Sequence, residues 1–165
     1  MDEHLKKLIV KAKSKDSAAI SDALTDWGLL LERHTQNRYS EQDYLTLLGN
    51  NDALFTLRLK DEDVEILTNF FFYHILNIHI HPVTAAWCLG KCYNMDILDG
   101  MKRLLNLFDS NDEITLQLIY SINSLFGLEQ IGQQLMVLRK RTDLPNTTKY
   151  LEGLSTEGFF ESILN

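Results

Sequence analysis

The chain has 165 residues, of which 45% are apolar and 24% charged, with two prolines and a formal charge of -7. A chain of this length buries about 70% of its unfolded surface as one domain, so it needs neither disulfide nor metal to fold, and it is too hydrophobic for disorder. The charge is uneven: residues 1–15 carry Lys6, Lys7, Lys11, Lys13 and Lys15 against Asp2 and Glu3, whereas residues 16–138 hold 17 acids against 7 bases. An acidic body repels phosphate backbones, which disfavours non-specific nucleic-acid binding and favours a basic partner over DNA or RNA.

In chain order, Leu5, Leu8, Ile9 and Ala12 sit at i, i+3, i+4 and i+7 and predict a helix over residues 3–13. No apolar run there is long enough for a signal-peptide core. Asp16 is a good N-cap for a second helix, with Ile20, Ala23, Leu24, Trp27, Leu30 and Leu31 as its apolar stripe, running to about His34. After a polar stretch, Ser40 and Asp43 resemble a capping box for a short helix from Glu41 to Leu48. Residues Ala53–Lys60 alternate apolar and polar side chains, but a lone strand has no ladder partner, so helix and extended linker are both open.

From Asp61 the pattern strengthens. Asp61, Glu62, Asp63 and Glu65 crowd a first turn, where the helix dipole favours negative charge. The residues that follow, including Ile66, Phe72, Tyr73 and Leu76, are apolar nearly all round, which predicts an interior helix. It falls short of the roughly 20 apolar residues of a membrane span. Pro82 suits the first turn of the next helix, and Asn94 and Asn111 precede two more. Leu128, Ile131, Leu135 and Leu138 begin a further helix that ends in Arg139, Lys140 and Arg141, and Phe159 and Phe160 belong to a last one that caps the C-terminal end. Asp63, Asp96 and Glu129 open helical patterns 33 residues apart, the length of a two-helix repeat. The expected architecture is all-α: a single domain of antiparallel helical pairs stacked as a short solenoid. Residues 1–60 hold its N-terminal helices, 61–141 its best-formed repeats and 142–165 its cap.

No phosphate loop, nucleophile elbow or H-E-x-x-H zinc site is present, so catalysis has no positive support. His74, His79, His81, Cys88 and Cys92 fall within twenty residues but lack the Cys-x-x-Cys and His-x(3–5)-His spacing of common zinc sites. They read as buried or helix-end side chains, so neither metal nor cofactor is expected, and two cysteines without a framework suit the cytoplasm. The acidic pairs Asp96 with Asp99 and Asp112 with Glu113 lie at helix starts, where capping explains them. Helix starts in a stacked array emerge along its edges. Asp61, Glu62, Asp63, Glu65, Asp96, Asp99, Asp109, Asp112 and Glu113 are therefore candidates for an acidic partner-binding ridge, against the alternative of a solvated edge. Trp27, Trp87 and the glycines Gly28, Gly90, Gly100 and Gly132 point to core and close helix contacts.

Ala85, Ala86, Leu89 and Gly90, then Leu104 and Leu105, then Asp109 and Asp112, with Ile114, Leu125, Phe126 and Gly127 opening the next round, make residues 81–127 resemble HEAT-like helical repeats. The segment departs from that pattern where an Arg is expected near the repeat start and His81 or Thr115 stands. In overall character, small, acidic and helical, the chain is similar to immunity proteins of bacterial contact-dependent growth inhibition and related polymorphic toxin systems. That resemblance implies a protein that binds a cognate toxin domain, often a basic nuclease, and blocks its active site with acidic side chains. The HEAT-like resemblance implies instead an adaptor or regulatory scaffold for a cellular protein.

Overall fold

The structure is a computed structural model that describes residues 3–36 and 59–163, and among them every regular element is helical. The short helix expected over Glu41–Leu48 lies outside the described residues, as does the stretch Ala53–Lys60 except for Leu59 and Lys60. Lys60 has extended backbone (φ -104°, ψ 162°). The chain forms two compact units, the first ending at Tyr93 and the second beginning at Asn94. The boundary thus falls inside the 61–141 segment that the repeat reading treats as continuous.

The first unit contains α1 (Glu3–Ala12), α2 (Ser17–Gln36), α3 (Asp61–Asn77) and α4 (Pro82–Leu89). Asp16 caps α2 as its residue type requires, with Oδ1 accepting the Ala18 N–H at 3.0 Å. Helix α2 packs on α1 and on α4, and α3 packs on α4. The expected α2 stripe is buried, and Trp27 at its centre meets Phe70 and Phe71 edge-on, with ring centroids 5.0 and 5.8 Å apart. Such T-shaped pairs add about 0.5–1.5 kcal/mol each to the burial of their area. Gly28 lets α4 approach, because a Cβ at that position would overlap the Trp87 ring.

The turn from α3 to α4 is held by histidines. His79 and His81 both adopt left-handed backbone (φ 57° and 52°), which for non-glycine residues persists only where surrounding bonds enforce it. Those bonds are present. The buried His74 Nε2–H donates to the Ile80 carbonyl at 2.6 Å, and His81 Nε2 lies 2.8 Å from the Ser17 hydroxyl and 3.0 Å from its carbonyl at the start of α2. Close by in sequence, Lys91 Nζ lies 2.9 Å from Glu32 Oε1, an ion pair whose carboxylate side is almost fully buried.

The second unit opens with a 3-10 turn (Met95–Ile97), followed by α5 (Leu98–Leu107), α6 (Asp112–Leu125), a second 3-10 turn (Leu128–Ile131), α7 (Gly132–Leu138), α8 (Pro145–Thr156) and α9 (Phe159–Ile163). Helix α6 packs on α5 and α8, and α9 packs on α7 and α8, around Met101, Leu105, Leu118, Ile122, Leu135, Leu151 and Phe160. Asn94 and Asn111 act as caps, their side chains accepting the N–H groups of Asp96 and Ile114. Gly127 follows α6 with φ +89°, a value that favours glycine. The three residues spaced 33 apart stand at the starts of alternate helices: Asp63 in the first turn of α3, and Asp96 and Glu129 in the 3-10 turns that lead into α5 and α7.

Candidate partner-binding surface

Six of the nine candidate carboxylates are exposed, and the other three are tied into the fold. Asp63 is only 4% exposed. Its Oδ2 accepts the Lys60 N–H at 3.0 Å, so an N3 carboxylate reaches back to the N-cap backbone at the start of α3 and is engaged within the fold. Asp109 lies 3.2 Å from Arg141 Nη1. That guanidinium also grips Asp143 at 2.6 and 2.8 Å and holds its carboxyl down at about 2.

Asp112 is the least expected of the three. Its two carboxylate oxygens accept the Asn146 and Thr147 N–H groups, each at 2.8 Å, so that a residue in the first turn of α6 caps the start of α8. Desolvation pushes this carboxyl up, but the bonds from Asn146 and Thr147 outweigh it and the net shift is downward. Asp63, Asp109 and Asp112 thus differ from the six exposed carboxylates. Their charge is engaged by backbone N–H groups and a guanidinium of the same chain.

The exposed carboxylates fall into separate groups. Asp61, Glu62 and Glu65 occupy the first two turns of α3, and only Asp61 has a basic side chain within ion-pair distance among the described residues, the imidazole Nε2 of His34 at 3.5 Å. Asp96 and Asp99 stand at the start of α5. Glu113 stands at the start of α6. Because α5 and α6 pack together across a four-residue turn, they run antiparallel, and Glu113 lies about 15 Å along the hairpin from Asp96 and Asp99. Helix starts in an antiparallel pair alternate between its two ends, which is why the carboxylates that open α5 and α6 do not share one edge.

The sequence reading missed the surface that adjoins the first group. Helix α3 buries one side through Val64, Leu67, Phe71, His74 and Ile75, but it is not interior all round. Ile66, Tyr73 and Leu76 are 41%, 53% and 42% exposed. They share one stripe with Glu62, Glu65 and Asn69, all exposed, at helical spacings of three and four. The signal was present in the sequence as a second apolar face. Which of two apolar faces a neighbour covers is not encoded in the helix itself.

Elsewhere in the second unit, a groove of about 480 Å³ is lined mainly by Lys102, Asn106, Glu129, Gln130, Gln133 and Gln134. Gln134 donates to the Lys102 carbonyl at 3.2 Å and to Asn106 Oδ1 at 2.6 Å, so its carboxamide is held in place, and no nucleophile is paired with a base there. Among the described residues, no group of three or more His, Cys, Asp or Glu side chains is placed to hold a metal ion. His74 and His81 each use Nε2 within the fold, and the Cys88 thiol donates to the Leu24 carbonyl at 3.1 Å. No described helix is long and apolar enough to cross a membrane. Comparison of the chain with models of protein families, with curated proteins and with solved structures gave no match.

Proposed function

We propose that this chain is an immunity-type binding protein of the cytoplasm that neutralises a cognate bacterial toxin, a basic nuclease domain, by covering its active site with an acidic surface. The observation that supports this reading is the set of exposed carboxylates Glu62, Glu65, Asp96, Asp99 and Glu113, none of which has an ion-pair partner among the described residues. Exposed unpaired carboxylates raise the association rate with a basic partner and stand where a nuclease expects phosphates. The mechanism is steric and electrostatic and requires no chemistry. Consecutive helices that pack in pairs support the alternative of a HEAT-like adaptor or regulatory scaffold that binds a cellular protein.

The test is protection of growth when the chain is co-expressed with the product of the gene adjacent to its own, together with the kinetics of complex formation. Neutralisation predicts protection and an on-rate that falls steeply with salt. Reversing Glu62, Glu65, Asp96, Asp99 and Glu113 to Lys should remove both. Full protection by that variant would sink the electrostatic mechanism, and an adaptor would give no protection at all.

A further inference from the structure

We propose that the outward face of α3 docks an amphipathic helix of a partner protein, one whose apolar stripe is bordered by lysine or arginine. This rests on the reading that the chain binds a basic protein, and it names the element that makes the contact. Helix α3 spans 17 residues, about 25 Å, and offers Ile66, Tyr73 and Leu76 at i, i+7 and i+10. That is the repeat with which one helix seats another, and Asn69 between them is the polar residue that sets register in such seams. Exposed apolar side chains scattered singly need no explanation, but three in one stripe on one helix make a patch.

The charge around the stripe selects the occupant. Glu62 and Glu65 continue it towards the N-terminus with Asp61 beside them, and α3 contains no lysine or arginine. A second copy docking through its own α3 would bring only the same carboxylates to the contact, so a symmetric pair is excluded and the cations come from a different surface, that of a basic partner. They must also lie at one end of the incoming helix. Lysine and arginine are favoured in the last turn of a helix by its own dipole, so a partner running antiparallel to α3 presents its cations opposite Glu62 and Glu65 at no cost to itself.

The experiment uses the full chain and a labelled synthetic helix of about 21 residues, three heptads, with Leu at the seam positions and Lys beside them, read by fluorescence anisotropy. A matching peptide with Glu in place of Lys is the charge control. The lysine peptide should bind and the glutamate peptide should not. Its affinity should fall about tenfold or more in Tyr73→Ser/Leu76→Ser, and likewise in Glu62→Lys/Glu65→Lys. All four positions are exposed, and circular dichroism verifies that the helices remain. Equal binding to either variant, or no binding of the lysine peptide to the wild-type chain, overturns the proposal. So does a dimer of the wild-type chain, seen by light scattering, that Tyr73→Ser/Leu76→Ser dissolves, because the occupant is then a second copy. Peptide binding without growth protection would leave the docking surface standing and remove the toxin reading. Protection that survives loss of peptide binding would do the reverse.

Discussion

Replacing Asp112 with Ala should destabilise the second unit while leaving partner binding intact, which separates structural carboxylates from binding ones. The substitution removes the acceptor for two N–H groups in the first turn of α8, each now bonded at 2.8 Å. Hydrogen bonds to a charged group contribute about 1.5–3 kcal/mol each when buried. Asp112 is only half-buried, so water takes over part of that role, and losing an N-cap ordinarily costs about 0.5–2 kcal/mol. The expected loss is therefore about 2 kcal/mol for Asp112→Ala. For Asp112→Asn, which keeps one neutral acceptor, it is about 1 kcal/mol. Urea unfolding followed by circular dichroism measures the loss, and hydrogen exchange at the Asn146 and Thr147 amides should accelerate. The pH dependence provides a second check. The folded carboxyl sits below its unfolded value of about 3.9, so its stabilisation is complete above that pH and disappears as pH falls through the folded value. The gap between wild type and Asp112→Asn should be constant from about pH 5 to 8 and close below about pH 4. A change under about 0.5 kcal/mol at pH 7, with both amides still protected, would refute the cross-helix cap.

Three further outcomes are expected. Burial pushes His74 below its ordinary value, more than its bond to the Ile80 carbonyl raises it, and its Nδ1 has no partner among the described residues. The unfolded chain therefore binds this proton more tightly, so the thermal midpoint of the wild type should drop as pH falls through about 6.5, and less so for His74→Leu. Gly28→Ala gains about 1 kcal/mol of helix propensity but forces its Cβ into the Trp87 ring, at a cost of about 1–3 kcal/mol. It should be neutral to destabilising alone and clearly stabilising in a Trp87→Ala background, as a double-mutant denaturation series would measure. Finally, burial pushes the Cys92 thiol up to about 12 and raises Cys88 as well, so neither should react with a thiol reagent in native protein, and both should react in denaturant.

The sequence by itself determined the local elements. The caps Asp16, Asn94 and Asn111, the N1 proline Pro82 and the buried stripe of α2 are where spacing and residue type place them, because each depends on bonds within a few residues. Tertiary structure decided what those residues are free to do. Asp112 reads as a helix-start acid open to solvent, yet it is taken up by N–H groups 34 and 35 residues away. Tyr73 reads as core, yet it is 53% exposed because the neighbours of α3 cover its other side. Glu32 carries no sign in the sequence of its pairing with Lys91, 59 residues on. A side chain's availability is a property of what packs against it, and helical periodicity says only that a face exists, never whether another helix lies upon it.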